Sequence, residues 1–165
     1  MPKQPDDQRF SLKDHLFNRE RIDYLGELFF ASDNIFDRSG FVRDCSRSLA
    51  NLELKQRITH IACVLENYLS SDFRLAAKQI TRALPPALDS TLSDGDFGDF
   101  IFAPLGEYVV RNGLEKKYLR LSLATLKSLT QRFSMEDAIR AFINAYPTET
   151  LDELTRWSTH RNYHV

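Results

Sequence analysis

The sequence predicts an all-α protein in which antiparallel helix pairs stack into a solenoid, and three features support this prediction. From residue 11 onward, apolar residues recur at helical spacing along the 165-residue chain. Almost no segment alternates apolar and polar residues with the period of two that is typical of β-strands. Residues suited to starting a helix, and glycine or proline suited to ending one, separate the apolar stretches. We therefore expect helices joined by short loops and no sheet.

The apolar spacing divides the chain into a tail, eight helices and an acidic connection. The first ten residues are polar and contain two prolines, which predicts a disordered tail over 1–10 ahead of a single domain over 11–165. Residues 87–98 are acidic and contain two glycines, which predicts a turn-rich linker. The eight helices are expected at residues 19–31, 37–50, 54–69, 73–84, 99–111, 114–133, 134–146 and 149–159.

Capping residues and helix breakers set the expected ends of these helices. A polar side chain before a helix can accept a hydrogen bond from a backbone N–H of the first turn, and proline cannot continue a helix. The Pro85-Pro86 pair is expected to end one helix and the Asn112-Gly113 pair another. The expected N-caps are Asn18, Asp37, Asp72, Ser134 and Thr148.

Taking the helices in pairs gives units of roughly 35–45 residues, a length typical of HEAT-like repeats, although no letter-for-letter repetition is visible. A closed helical bundle has the same helix content, so periodicity alone leaves both architectures open. We favour a HEAT-like α-α superhelix that ends inside a repeat. The expected pairs are 37–50 with 53–70, 72–84 with 99–112, 114–133 with 134–146, and 149–159 with a segment that begins at His160.

Composition and charge exclude several classes of protein. The net charge is −1, so the whole molecule has no field that draws it to nucleic acid, and any such binding needs a local patch. Cys45 and Cys63 form no CxxC motif, which indicates reduced, buried thiols in a cytoplasmic protein. The four histidines form no HExxH motif and have no cysteine beside them, so no metal site is predicted. No apolar run approaches the ~18 residues of a membrane span, and no nucleotide-binding or nucleophile motif points to a cofactor.

Charge is distributed unevenly along the chain. Residues 111–140 contain seven basic residues against three acidic ones, and residues 156–165 contain two arginines and two histidines with no acid. Much of the balancing negative charge lies in the first thirty residues and in the linker. Such segregation suits a phosphate-binding face, and an ordinary solvated helix surface explains it equally well.

Two glutamates and the single tryptophan are candidate functional residues within this basic half. Glu107 lies in the segment PLGEYVV and Glu136 in the first turn of a helix. A surface position is a sufficient structural reason for Glu107, and the helix dipole is one for Glu136. Trp157 can approach a base or sugar, but its helical spacing from Leu151 and Leu154 favours a place in the core.

Several stretches resemble the AlkC-type bacterial DNA glycosylases, which are alkylpurine repair enzymes built from HEAT-like repeats. The resemblance is carried by the segments LTQRFSMEDAIRAF, PLGEYV and ETLDELTRWSTHRNYHV. The segments FSLKDHLFNRERIDYLGELF and LELKQRITHIACVL resemble the family's N-terminal helices. The resemblance covers nearly all of residues 10–165, and it rests on the order and spacing of these stretches rather than on any single motif.

The resemblance implies a stack of helix pairs that grips double-stranded DNA containing alkylated purines and hydrolyses the N-glycosidic bond, as a monomer without metal or cofactor. An alkylated purine such as 3-methyladenine is already a good leaving group. Carboxylates in a desolvated site therefore need mainly to stabilise positive charge on the deoxyribose and to position a water. The implied catalytic carboxylates, by motif position, are Glu107 and Glu136. The implied DNA-contacting residues are Arg132, Arg140, Arg156, Trp157, Arg161 and His164.

The sequence departs from the family pattern in two places and leaves two other functions open. Ala141 stands where the family commonly has proline, and family chains continue beyond the His164-Val165 pair, so one expected catalytic acid lies outside this chain. The alternatives are a non-catalytic DNA-binding solenoid and a protein-interaction scaffold. The scaffold predicts an apolar or acidic groove, whereas DNA binding predicts a basic one.

Overall fold

The computed structural model describes residues 10–88, 97–162 and 165 of the chain. Within them it contains nine α-helices, and its only β-type pairing is an isolated bridge between Gly98 and Phe133. Most of the predicted tail, part of the predicted linker and His164 lie outside the described residues. The helices are α1 (Leu12–Leu16), α2 (Arg19–Ser32), α3 (Arg38–Ser46), α4 (Leu54–Leu65), α5 (Phe73–Ala83), α6 (Ala103–Gly113), α7 (Leu119–Thr130), α8 (Glu136–Ala145) and α9 (Pro147–Trp157).

Local hydrogen bonds confirm three of the five predicted N-caps. The side chains of Asn18, Asp37 and Asp72 each accept a hydrogen bond from a backbone N–H in the first turn of α2, α3 and α5, respectively. The predicted stops are also confirmed, because α5 ends before the Pro85-Pro86 pair and α6 ends at Gly113. These ends depend on residues only a few positions apart, which is why the sequence predicts them well.

The predicted caps Ser134 and Thr148 are wrong. The backbone N–H of Ser134 donates to the carbonyl of Phe97 at 2.9 Å, so this residue belongs to the bridge, and α8 begins only at Glu136. The last helix begins at Pro147, because proline is well tolerated at the first helical position, where no N–H is needed. Thr148 therefore lies inside α9.

The predicted helix over 114–133 is shorter than expected. The end of α6 is held by side chains, since the hydroxyl of Ser122 donates to the Gly113 carbonyl and that of Tyr146 to the Leu114 carbonyl, both at 2.7 Å. A single 3₁₀ turn at Lys116–Tyr118 follows, and α7 begins after it. Because side chains from later in the chain satisfy these carbonyls, α6 ends here and does not continue into α7.

The helices form two layers that follow the order of the chain. One layer contains α2, α5 and α7, and the other contains α3, α4, α6 and α8, with α9 packed on α8. The expected pairs of α5 with α6 and of α7 with α8 cross between the layers, whereas the expected pair of 37–50 with 53–70, α3 and α4, packs together within one layer. Among the described helices, α8 and α9 pack closely on none of α1–α5, as expected of a solenoid rather than a closed bundle.

An apolar core lies between the layers and extends through both. It includes Phe17, Ile22, Phe41 and Phe142, all fully buried. Of the two thiols predicted to be buried, Cys45 is buried and Cys63 is half-buried, and both are free. The layers leave the outer faces of α4, α6 and α8 accessible on one side of the molecule.

Candidate functional site

A groove of about 530 Å³ opens across the outer faces of α4 and α6 and the start of α8. Its apolar lining includes rings and aliphatic side chains from three separate stretches of the chain. These apolar residues are Leu54, Ile58, Phe97, Phe100, Phe133 and Met135. The charged residues that line it are Lys55, Glu107, Glu136 and Asp137.

Gly106 allows α6 and the start of α8 to meet at this groove. A Cβ atom at Gly106 would lie 2.6 Å from the sulfur of Met135 and 3.4 Å from the Cβ of Ala138. Any larger residue would therefore displace the Met135 side chain from its place between the two helices. The close approach puts Glu107, the next residue of α6, in the same groove as Glu136, the first residue of α8.

An aromatic wall closes one side of the groove. The rings of Phe100 and Phe133 lie 4.6 Å apart between centroids and are tilted by 50°, while Phe97 is 61% exposed beside them. The wall is held by the Gly98–Phe133 bridge and by a hydrogen bond from the Asp99 N–H to the Arg132 carbonyl. Gly98 has φ of +87°, a left-handed conformation that glycine adopts without strain.

Glu107 carries a carboxylate that is not committed to a structural partner. The residue is half-buried, and within the described part of the chain its carboxylate makes no hydrogen bond or ion pair. The pKa of Arg111 is raised, chiefly by its hydrogen bond with Glu66 and to a smaller extent by the charge of Glu107. The Glu107 carboxylate thus faces an apolar groove and remains free to interact with a ligand.

Glu136 is more exposed and is held by its own helix. Its side chain is 76% exposed, and the Arg140 guanidinium donates to Glu136 Oε1 at 2.6 Å, one turn further along α8. Asp137 lies 3.5 Å from the same guanidinium. The position at the start of α8 also lets the helix dipole favour the negative charge. The two predicted carboxylates are therefore brought together in one groove, with different degrees of exposure.

The predicted basic residues do not line this groove. Arg132 is a structural residue, because its Nε donates to the Pro85 carbonyl at 2.8 Å and its Nη1 to the Ser128 carbonyl at 2.9 Å. Burial lowers the pKa of Arg132. Arg140 lines an adjoining depression of about 400 Å³. Arg156 pairs with Glu153 at 2.5 Å on α9.

The end of the chain contributes little to the groove. Arg161 is exposed and has no ion pair within the described residues, and His164 lies outside them. Trp157 is 2% exposed, and its indole N–H donates to Glu153 Oε1 at 3.0 Å. That hydrogen bond is the largest cause of the lowered pKa of Glu153. In this structure Trp157 belongs to the core and offers no surface to a base or sugar.

The charge of the groove differs from that of the expected basic face. Three of its four charged lining residues are carboxylates, and Lys55 is the single cation among them. Of the seven basic residues in 111–140, several are paired with acids, including Lys116 with Glu149 and Lys117 with Glu115. An acidic groove walled by aromatic rings attracts a cation, because the carboxylates and the ring faces both stabilise positive charge.

Sequence reasoning did not identify the aromatic wall. Phe97 lies within the predicted linker, and Phe100 and Phe133 occupy ordinary apolar positions of predicted helices. The glycine at residue 98, between an acidic stretch and an apolar run, was the available signal for a close backbone approach.

Metal binding and membrane insertion both find no support in the described part of the chain. No group of three or more His, Cys, Asp or Glu side chains in the described residues is placed to hold a metal ion. None of the helices described is both long and apolar enough to cross a membrane.

The fold matches that of a known DNA repair enzyme. The structure of Pseudomonas fluorescens alkylpurine DNA glycosylase AlkC, bound to DNA containing an abasic site analog, is similar to 94% of this chain, with a TM-score of 0.76 and 25% sequence identity. The matched part is 40% of the AlkC chain, so this chain spans less than half of that protein's length. The sequence matched no protein-family model and no curated protein. The resemblance to AlkC-type glycosylases and the HEAT-like all-α fold are thus confirmed at the level of the fold.

Proposed function

We propose that this chain functions in DNA repair, hydrolysing the N-glycosidic bond of N-alkylated purines in duplex DNA. The observation that carries the proposal is the position of Glu107 and Glu136 in one groove of a chain whose fold is similar to a DNA-bound alkylpurine glycosylase. The chain is expected to act as a cytoplasmic monomer without metal or cofactor.

The composition of the groove suits the charge of the proposed substrate. A purine alkylated at a ring nitrogen is cationic in DNA, and the deoxyribose gains positive charge as the glycosidic bond breaks. Carboxylates stabilise this charge most when the surroundings have a low dielectric constant. The rings of Phe97, Phe100 and Phe133 supply apolar walls and faces for cation–π attraction.

The two glutamates differ in the parts they are suited to play. The free, half-buried carboxylate of Glu107 is the better placed to accept a proton from a water or to lie against the developing cation. Glu136 is held by Arg140 at the mouth of the groove, so its contribution is electrostatic and is reduced by that ion pair. We assign general-base and electrostatic roles to Glu107 and an electrostatic role to Glu136.

A second candidate function is favoured by the acidity of the groove. A HEAT-like scaffold that binds a basic, apolar protein segment needs an acidic groove with apolar walls, and it needs no uncommitted carboxylate at a fixed position. Release of the damaged base distinguishes the two functions, whereas binding alone does not. The scaffold predicts no base release from methylated DNA at any protein concentration.

The test is single-turnover release of 3-methyladenine from methylated duplex DNA. We compare the wild-type chain with Glu107→Gln, Glu136→Gln and the control Asp152→Asn, which removes an exposed carboxylate of α9 that does not line the groove. Loss of a charge that stabilises the transition state by about 1.4–2.7 kcal/mol lowers the rate about 10- to 100-fold. We expect Glu107→Gln to have the larger effect and Asp152→Asn to retain the wild-type rate.

Two results contradict the proposal. The first is wild-type base release no faster than in DNA without protein. The second is an undiminished rate in both glutamate variants, with circular dichroism showing that they are folded. Binding of a basic peptide in the groove without base release supports the scaffold instead.

A further inference from the structure

A second charged surface lies on the layer of helices away from the groove. The neighbouring helices α5 and α7 have the sequences FRLAAKQITRA and LRLSLATLKSLT, and neither contains a single carboxylate. Their basic residues form one surface, which we call the basic face. It consists of Arg74, Lys78 and Arg82 on α5 and Arg120 and Lys127 on α7.

The helical spacing directs these cations away from the core. Arg74, Lys78 and Arg82 follow one another at intervals of four residues and are all exposed, whereas Phe73 and Ile80 on the opposite side of α5 are buried. Arg120 is exposed on α7, and Lys127 is partly exposed on the same side of that helix. In the described part of the chain, none of the five forms an ion pair.

Contacts at both ends show that α5 and α7 run in parallel. At their starts, Phe73 is so close to Gly113 and Ser122 that a Cβ atom on Gly113 would collide with both side chains. At their ends, the Leu88 N–H donates to the Gln131 carbonyl at 2.8 Å. The cations therefore form two aligned rows, about 8–10 Å apart and each about 10–12 Å long at 1.5 Å per residue.

An aromatic ring fixes one end of the basic face without neutralising it. The Arg74 guanidinium carbon lies 5.2 Å from the ring centroid of Tyr118. The Lys117 ammonium lies 4.8 Å from the same centroid, but it is paired with Glu115 and is not part of the face. A ring partner is neutral and leaves the net charge of the face unchanged, whereas a carboxylate partner would cancel the charge of one cation.

Acidic groups of the neighbouring helices border the basic face but leave most of it uncompensated. On α2, Asp23 and Glu27 are both paired with Arg38, which belongs to α3. On α9, Glu153 is close enough for Lys127 to contribute to its lowered pKa, after larger effects from Trp157 and Arg156. Lys127 thus marks the edge of the face, and the four other cations form its centre.

We propose that the basic face binds the phosphate backbone of a nucleic acid duplex without reading its sequence. A DNA strand carries one phosphate per about 3.4 Å of helix axis, so rows 10–12 Å long match about three phosphates. The five side chains that define the face are long and flexible cations, and the amide oxygen of Gln79 on α5 already accepts from the Ser70 N–H, so the face offers mainly contacts to phosphate oxygens. Charge complementarity therefore identifies the partner as a polyanion, and the two straight, parallel rows favour a duplex.

The basic face is independent of the groove and of the function proposed for it. Neither α5 nor α7 contributes a lining residue to the groove, which opens on the other layer. A duplex on the basic face and a substrate in the groove are therefore separate segments of nucleic acid. This division also explains why the groove can be acidic in a protein that binds DNA, because affinity and chemistry are supplied by different surfaces.

The test is the salt dependence of binding to an unmodified 20-base-pair DNA duplex, measured by fluorescence anisotropy. The variant Lys78→Gln/Arg82→Gln/Arg120→Gln is compared with the control Arg19→Gln/Arg43→Gln/Arg47→Gln, which removes the same charge from exposed residues elsewhere. The slope of log K against log salt concentration is negative, and each lost phosphate contact reduces its magnitude by about 0.9. We expect the magnitude of the slope to fall by about 2 to 3 in the first variant and to stay at the wild-type value in the control.

The outcomes separate this inference from the proposed function. Glu107→Gln/Glu136→Gln should keep the wild-type salt slope whether or not the groove is catalytic. The inference is overturned if the wild-type chain does not bind the duplex, or if the basic-face variant keeps the wild-type slope. An equal fall in the control variant overturns it too, as does binding to phosphatidylserine vesicles in place of the duplex.

Discussion

Replacement of Arg57 by methionine should lower the free energy of unfolding of this protein by about 3 kcal/mol. Arg57 lies on α4, and its side chain is 1% exposed. Its hydrogen bonds connect α1 to α4, the helix that lines the groove. Its Nη1 donates to the carbonyls of Lys13 and Phe17 at 2.9 and 2.8 Å, and its Nε donates to the Leu52 carbonyl at 3.1 Å. Methionine fills much of the same volume but offers none of these donors.

The magnitude follows from the number of hydrogen bonds lost and from what remains. Hydrogen bonds to a charged group contribute about 1.5–3 kcal/mol each, and a carbonyl left unsatisfied costs about 1–3 kcal/mol. The carbonyl of Lys13 keeps a second donor, the N–H of Phe17 at 2.9 Å, so two of the three carbonyls lose their partner. The apolar side chain of methionine offsets part of this cost. A loss of about 3 kcal/mol corresponds to a fall in Tm of about 6–12 °C for a chain of this size.

Urea denaturation followed by circular dichroism measures this loss, and hydrogen exchange over residues 10–17 shows whether α1 detaches. Asp14→Asn is the matched control, because it removes the remaining partner of Arg57, at 2.6 Å, while leaving the buried guanidinium in place. The Asp14 carboxylate is 59% exposed and stays hydrated in either case, so its loss should cost much less. The reasoning is refuted if Arg57→Met unfolds within 1 kcal/mol of wild type, or if the two variants are equally destabilised.

Two further predictions concern the groove wall and a partly buried carboxylate. Gly98→Ala should destabilise the protein by about 1–3 kcal/mol, since alanine is strained at positive φ and its methyl group would collide with the Arg132 carbonyl. Urea denaturation should show a much smaller loss for Phe97→Ala, a neighbouring exposed position, and equal losses would contradict the role of Gly98. The hydrogen bond from Arg111 is the largest cause that lowers the pKa of Glu66 below its ordinary value of 4.5. The contribution of Glu66 to the free energy of unfolding is therefore complete above about pH 4.5 and is lost as the pH falls further. The difference in stability between wild type and Glu66→Gln should therefore shrink from pH 7 to pH 3, and a constant difference would exclude this linkage.

The elements that could be predicted from the sequence are those governed by local chemistry. Asn18, Asp37 and Asp72 were identified as caps because a cap and its helix interact within a few residues. Ser134 was misassigned for the opposite reason. Its backbone is engaged by Phe97, a partner that no local rule connects to it.

The candidate site shows the same division. The resemblance to a glycosylase family identified Glu107 and Glu136, and the structure then placed both in one groove. Composition suggested that cations of the same half would surround them. Instead, Arg132 is used to hold the segment after α5, and the acid-free surface belongs to the other layer.

The sequence by itself determined the all-helical class, most helix positions and the pair of candidate carboxylates. Only the tertiary structure decided which helix faces meet, and so joined α4, α6 and the start of α8 into a groove. The physical reason is that helical periodicity states which residues share a face but not what that face packs against. Those contacts depend on close approaches such as that of Gly106 to Met135, and on buried long-range hydrogen bonds such as that from Arg57 to the Phe17 carbonyl. Neither kind of contact leaves a periodic signal in the chain.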